Sequence, residues 1–261
     1  MSMATLPPEL TDHIIDFLHD DRKTLLSCSL VSKIWLPSSR YHLFGSLDIY
    51  SKERQDSLIR LLKNSPASTI PNHVHTFSIV TDQWDDLPNS FDRIAPYLDR
   101  LPVRSLTLKG HQWRPINKEH EKDVLKWFSG IRELETRLGF SCSEHFFRLI
   151  SSFCSLEKLR MHIKGLRFRF DDLQPIRSFA FPPHLHTLVI GLDSERPLAL
   201  SWLVSVTQFP PINTLDLYTI TDVDEELPGV QALLQTLGPS IHSLVLWFEC
   251  SIRTFIQLLD Q

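Results

Sequence analysis

The chain has 261 residues, of which 42% are apolar and 22% charged, the ordinary composition of a soluble globular protein with one large or two small domains. Its net charge of -4 gives no general attraction to nucleic acid or to an anionic membrane. No apolar run approaches the roughly 18 residues that span a bilayer. The first ten residues lack the basic and apolar regions of a secretory signal. We therefore expect neither nucleic acid nor a membrane as partner.

The cysteines indicate a reducing compartment. Cys28, Cys142, Cys154 and Cys250 are scattered, with no CxxC pair, and no Asn-x-Ser/Thr acceptor with a permitted middle residue occurs. This pattern predicts reduced, mostly buried thiols in a cytoplasmic or nuclear protein.

The first predicted helix begins at a pair of prolines. Pro7 and Pro8 fix φ where a helix can start. Leu10, Ile14 and Leu18 then recur every four residues, which predicts one apolar stripe on a helix of about three turns.

Two more short helices are predicted before residue 37. Asp20 and Asp21 interrupt the first pattern and can cap the second helix. Pro37 is expected to end the third. The apolar residues of the second helix are Leu25, Leu26, Cys28 and Leu30, and those of the third are Val31, Ile34 and Trp35.

Three helices in about forty residues cannot bury all of these side chains against one another. Domains this small usually need a staple or a partner. This stretch contains no cysteine pair and no metal-ligand set. The remaining apolar surface is therefore interpreted as a docking face.

The pattern Leu6-Pro7-x-Glu9-Leu10-x(3)-Ile14-x(3)-Leu18, followed by Leu25, Val31 and Trp35, resembles an F-box over residues 1–44. The resemblance implies a Skp-type adaptor as partner and, through it, a cullin–RING (SCF) ubiquitin ligase. The alternative is a three-helix cap on the unit that follows. The residues to which the resemblance assigns adaptor binding are Leu6, Pro7, Leu10, Ile14, Leu18, Leu25, Val31 and Trp35.

The rest of the chain, residues 45–261, is predicted to be a repeat. The six-residue pattern apolar-x-x-apolar-x-apolar occurs eight times, with a degenerate last position in the fourth unit. Its first positions, residues 44, 74, 103, 131, 156, 185, 212 and 241, are 25 to 30 residues apart. Apolar residues at helical spacing lie between the predicted strands, near residues 58–62, 91–95, 124–128, 146–150, 202–206 and 230–237.

Strand, joint and helix at this period resemble a degenerate leucine-rich repeat. The resemblance implies an α/β solenoid, a curved parallel sheet with helices on its convex side. Residues 164–172 alternate apolar and basic residues and predict a loop or an additional strand. A last helix is predicted from about Ser251, as the cap of the solenoid or as the point where the sequence is truncated.

Side chains at the third, fifth and seventh positions of each unit are predicted to lie on the concave surface. There, Lys158, Arg160 and His162 suggest a basic patch for a phosphorylated or acidic motif. The alternative is a self-paired ladder, with Glu133 beside Lys158 and Glu135 beside Arg160. The candidate target-binding residues are Lys109, Arg137, Lys158, Arg160, His162, Tyr218 and Trp247.

Two aromatic features have competing interpretations. Tyr218 and Trp247 suit a binding hot spot, although Trp247 would equally suit burial under the C-terminal helix. The run from Arg167 to Phe170 interleaves basic and aromatic residues, as in single-strand nucleic-acid sites, but a half-buried strand with a solvated basic face explains it as well.

No enzyme signature is present: GxGxxG, GxxxxGK[ST], GxSxG and HExxH are all missing from the sequence. His73 with His75, and His184 with His186, are spaced for a shared face but have no third metal ligand nearby in sequence. We therefore expect no cofactor and no catalysis, and interpret the chain as the target-binding subunit of an SCF ligase. The alternatives are a repeat scaffold without ligase association and an enzyme or nucleic-acid binder built on the solenoid.

Overall fold

The structure is a computed structural model that describes residues 6–64, 70–81, 94, 97, 101–110, 130–140, 143–162, 179–191, 200, 203–204, 207–220 and 223–248. It begins with three helices, α1 (Pro8–Phe17), α2 (Arg22–Val31) and α3 (Leu36–Phe44). Asp21 caps α2, because its Oδ1 accepts the backbone N–H groups of Lys23 and Thr24 at 3.1 Å each. The capping predicted for the second helix is thus confirmed at Asp21.

The prediction that Pro37 ends the third helix is wrong. Val31 is the last residue of α2, and Pro37 lies in the first turn of α3, where Trp35 is the N-cap. A proline is tolerated there because the first N–H groups of a helix have no intrahelical acceptor and its fixed φ suits the helix. The proline therefore starts a helix.

The three helices share a small apolar core, formed by Ile15, Leu25, Cys28 and Leu43 with Leu18, Trp35 and Phe44 packed against it. Polar contacts fasten the helices at their ends. His42 Nε2 lies 2.8 Å from Asp16 Oδ1 and joins α1 to α3. Arg22 Nη1 donates to the Leu43 carbonyl at 3.2 Å and joins α2 to α3.

Eight parallel strands form one sheet, in the spatial order β1-β2-β3-β4-β5-β7-β9-β10. Each lies on one of the eight predicted units, so the parallel sheet is confirmed. A separate parallel pair, β6 (Phe179–Ala180) and β8 (Thr207–Gln208), was not predicted. The strands of the sheet are β1 (Ser46–Ile49), β2 (Thr76–Thr81), β3 (Ser105–Gly110), β4 (Glu133–Arg137), β5 (Lys158–His162), β7 (Thr187–Gly191), β9 (Thr214–Ile220) and β10 (Ser243–Phe248).

One backbone contact repeats along the sheet. The carbonyl of the residue just before a strand accepts two N–H groups from the start of the next strand, at 2.7–3.1 Å. Because the same contact recurs seven times, the units are stacked in one common register. The accepting residues are Gly45, His75, Arg104, Arg132, Glu157, His186 and Asn213.

Helices α4 (Lys52–Asn64), α5 (Ser143–Ser151) and α6 (Val223–Leu237) lie between strands, and short 3-10 helices cover Ile70–His73 and Gly238–Ser240. Leu58, Phe146 and Leu233 pack from these three helices into one large core with the strands. The chain thus has an α/β arrangement. The predictions at residues 124–128, 164–172, 167–170 and 251–259 lie outside the described residues. Of the helices predicted at residues 91–95 and 202–206, only Ile94, Leu203 and Val204 are described, and all three are helical.

In β3, β4 and β5 the side chains alternate between this core and a second face, as predicted, whereas β7 also buries Val189, which was predicted to lie on that second face. In β3 and β5 every second residue is buried, while the residues between them are partly exposed. The degenerate position of the fourth unit, Thr136, is buried in register with Met161 and Leu108. We call the second face, formed by the third, fifth and seventh positions of the units, the polar face. Among the described residues, no helix is long and apolar enough to cross a bilayer.

Candidate functional site

The three N-terminal helices leave many apolar side chains exposed. On α1 the stripe Thr11 and Ile15 is buried, while Leu10, Ile14 and Phe17 lie on another side of the helix and are exposed. Phe17 is 76% exposed, which is unusual for so large an apolar side chain. The exposed apolar set on these helices and their joints, called here the helical surface, is Leu6, Leu10, Ile14, Phe17, Leu26, Leu30, Val31 and Ile34.

The eight residues assigned to adaptor binding divide into two groups. Leu25 is buried, and Leu18 and Trp35 are partly buried against the helical core, so these three stabilise the helices themselves. The other five are exposed: Leu6, Pro7, Leu10, Ile14 and Val31. Pro7 is also the N-cap of α1, and its carbonyl accepts the backbone N–H of Thr11 at 3.2 Å.

Sequence reasoning missed four members of the helical surface: Phe17, Leu26, Leu30 and Ile34. Leu30 is 87% exposed, although it follows Leu26 at the i, i+4 spacing of a buried stripe. The signal that could have found them is the surplus of apolar residues: α1 carries two apolar stripes, and the small core accommodates one.

The polar face carries a group of cations on neighbouring strands. Lys109 of β3 and Arg137 of β4 are register partners. Both contact the same carboxylate, because Glu135 Oε1 lies 3.8 Å from Lys109 Nζ and accepts the Arg137 Nε–H at 2.8 Å. Arg160 is the register partner of Glu135 on β5. We call Lys109, Arg137 and Arg160 the cation group.

The predicted ladder of paired charges is present in the register of the strands, but the described side chains do not form the predicted ion pairs. Glu133 lies beside Lys158 and Glu135 beside Arg160, as predicted. Yet Glu135 pairs with Lys109 and Arg137, and within the described part of the chain neither Lys158 nor Arg160 forms an ion pair. Two cations therefore share the Glu135 carboxylate, and Arg160 has no carboxylate partner among the described residues.

A histidine and a tyrosine meet beside the cation group. His162, Gly191 and Tyr218 are register partners on β5, β7 and β9, so the two side chains start two strands apart. The Tyr218 hydroxyl lies 2.6 Å from His162 Nε2, and the rings are edge-to-face with centroids 5.3 Å apart. The pair closes over Gly191, where a Cβ atom would lie 2.7 Å from Tyr218 Cζ and 2.9 Å from His162 Nδ1. The missing side chain at residue 191 is what lets them meet.

Burial changes the ionisation of both members of this pair. Burial of His162, with a smaller contribution from the positive charge of Arg137, lowers the pKa of His162 to about 4, against a raising effect of Glu135. Burial also raises the pKa of Tyr218. At neutral pH His162 is therefore uncharged, and the positive charge here comes from the cation group.

The remaining candidates are dispersed. Trp247 on β10 is 63% exposed, and the C-terminal helix predicted to cover it lies outside the described residues. Lys158 lies at the opposite end of β5 from His162. His73 and His75 both contact the ring of Tyr41, with centroids 6.5 and 5.4 Å apart. In the described ranges no three His, Cys, Asp or Glu residues are grouped so as to hold a metal ion.

Comparison with family models gives no match, and comparison with curated proteins gives no significant match. The functional argument therefore depends on the helical surface and on the polar face.

Proposed function

We propose that the chain is the target-recognition subunit of an SCF-type ubiquitin ligase, with residues 1–44 as an F-box that docks on a Skp-type adaptor. The observation that carries the proposal is the helical surface. Eight apolar side chains are exposed in this region, whereas the apolar core of the described helices buries four: Ile15, Leu25, Cys28 and Leu43. Exposed apolar groups of this number mark protein contacts, since each gains roughly 1 kcal/mol or more when a partner covers it.

The same observation argues against the alternative, a scaffold whose first helices only cap the repeat. A cap would not be expected to expose Phe17, Leu30 and Val31 to water, because the terminal units of a solenoid need a polar outer face. Here Leu10, Ile14 and Phe17 are exposed on α1, and Leu30 and Val31 are exposed at the C-terminal end of α2.

In this proposal residues 45–261 form a leucine-rich-repeat-like solenoid whose polar face holds the target protein. The chain performs no bond chemistry and contributes proximity and orientation. The common register of the eight strands supports this part, since it presents side chains from every unit on one face. The proposed compartment is the cytoplasm or the nucleus.

The test is co-expression of the whole chain with a Skp-type adaptor, followed by size-exclusion chromatography. We expect co-elution as a stoichiometric complex and poor solubility of the chain expressed alone. A soluble chain that elutes without the adaptor contradicts the proposal and favours the scaffold.

Substitutions then locate the contact. Leu10→Asp with Ile14→Asp places two charges on the helical surface without touching the core, so adaptor binding is lost while the circular dichroism spectrum is unchanged. Tyr50→Asp is the matched control, because Tyr50 is 54% exposed, close to the 50% of Leu10, and lies outside the three helices. Binding that survives the double substitution contradicts the docking assignment.

A further inference from the structure

We propose that the cation group, Lys109, Arg137 and Arg160, binds an acidic peptide segment whose carboxylates come from Asp or Glu side chains. The inference deepens the proposed function, on which it rests, by naming the chemistry of the target. Its basis is a local imbalance of charge within a chain whose net charge is -4. Lys109 and Arg137 contact one carboxylate, Glu135, and Arg160 is the register partner of that residue on β5.

Arg160 is the centre of the site. Arg160 is partly exposed as a residue, and it pairs with no described carboxylate, although its register partner is Glu135. Glu135 is instead held by Arg137 at 2.8 Å. A guanidinium without a carboxylate partner offers several N–H donors in a planar arrangement, which matches the two oxygens of a carboxylate.

The neighbouring residues indicate over which strands the acidic segment lies. Strands lie about 4.8 Å apart, so the cation group spans about 10 Å from β3 to β5, room for two side chains at alternate positions of an extended peptide. On the other side of Arg160, Val189 separates it from Asp216 in register. Asp216 repels an anion, so the acidic segment lies over β3, β4 and β5.

The His162–Tyr218 pair forms the wall at the carboxyl end of β5. The Tyr218 hydroxyl is engaged with the His162 ring, and the pair fills the space above Gly191. Because His162 carries no charge at neutral pH, it does not contribute to anion binding. The affinity of the site therefore depends on three permanent cations and on salt.

The experiment is fluorescence anisotropy of the whole chain, alone or bound to its adaptor, with a labelled Glu–Gly repeat peptide as probe. The matching Gln–Gly peptide measures binding without charge. We expect the Glu–Gly peptide to bind, added salt to weaken it, and Arg160→Gln to weaken it about tenfold, the loss of one charged hydrogen bond. Arg137→Gln is a second variant with the same expectation.

Arg60→Gln is the matched control. Arg60 lies on the exposed side of α4, whose Leu58 and Leu62 pack in the core on the other face of the sheet. We expect this variant to bind the Glu–Gly peptide like the unaltered chain. Equal weakening by Arg60→Gln and Arg160→Gln contradicts the site.

Four other results overturn the inference: no binding of the Glu–Gly peptide, equal binding of the Gln–Gly peptide, binding only of a phosphoserine–glycine peptide, or equal competition by a single-stranded RNA oligonucleotide. Co-elution of Arg160→Gln with the adaptor is measured in parallel. A chain that binds the adaptor but not the Glu–Gly peptide retains the proposed function and loses the acidic target. A chain that binds the Glu–Gly peptide but not the adaptor retains the acidic target and loses the proposed function.

Discussion

Gly191→Ala is expected to destabilise the protein, although alanine normally stabilises a strand relative to glycine. The new Cβ would lie 2.7 Å from Tyr218 Cζ, 2.8 Å from Tyr218 Oη and 2.9 Å from His162 Nδ1, closer than Cβ contacts normally occur. Tyr218 must therefore swing away from His162. This loses a neutral hydrogen bond, about 1 kcal/mol, and an edge-to-face ring pair, also about 1 kcal/mol.

The replacement itself offsets part of that loss. Replacing glycine by alanine stabilises by about 0.5–1 kcal/mol where the backbone conformation suits both residues, because the unfolded chain then loses less entropy on folding. The net expectation is a loss of about 1 kcal/mol in the free energy of unfolding, which lowers the melting temperature by roughly 2–4 °C for a chain of this size. Urea denaturation and thermal melting, followed by circular dichroism, measure both quantities.

The packing argument is tested by introducing Gly191→Ala into a chain that already carries Tyr218→Ala. Without the phenol ring, His162 Nδ1 is the one of the three nearest atoms that remains, and the imidazole can turn into the space that Tyr218 leaves, so Gly191→Ala should now stabilise by about 0.5–1 kcal/mol. The sign of its effect therefore reverses between the two backgrounds. Gly238→Ala serves as control, because nothing lies within 4 Å of a Cβ there. If Gly191→Ala has the same effect with and without Tyr218, the packing argument is refuted.

Three further predictions concern the core, the buried histidine and the degenerate repeat. Leu25→Ala should cost about 2–5 kcal/mol in urea denaturation because Leu25 is buried, whereas Leu10→Ala should cost under about 1 kcal/mol; equal losses would contradict the two assigned roles. His162 stays neutral in the fold to a pKa of about 4, while the unfolded chain takes up its proton near pH 6.5. The free energy of unfolding should therefore fall between pH 6.5 and 4, by on the order of 1–2 kcal/mol after allowance for partial exposure, and this share should vanish in His162→Gln. Thr136→Val should stay within about 1 kcal/mol of the unaltered chain, since the Thr136 hydroxyl accepts only a long 3.4 Å bond from the Leu138 N–H; a larger loss would mean that the hydroxyl is essential.

The strands were predictable because their signal is local and repeated. The pattern of core residues alternates with a period of two and returns every 25 to 30 residues, so one degenerate unit at Thr136 did not hide it. Periodicity also gave the strand register, because equal units stack in parallel: Glu133 does lie beside Lys158.

The third helix was misplaced for a local reason. Proline both ends and begins helices, and at Pro37 the apolar residues before it favoured the wrong choice. The structure begins α3 at Leu36, so Val31 and Ile34 belong to the end of α2 and to the joint that follows.

The sequence by itself determined that residues 6–35 contain more apolar side chains than short helices can bury, and that charged residues lie on one face of the strands. Only the tertiary structure decided how these residues are used. It placed Leu25 in the core and Val31 in water, paired Glu135 with Lys109 and Arg137, and gave Arg160 no ion pair within the described ranges. It also brought His162 and Tyr218 together above Gly191. The physical reason is that the alternation along a strand fixes the face on which a side chain lies. The contact partner of that side chain depends on other strands: Tyr218, the partner of His162, lies two strands and 56 residues away.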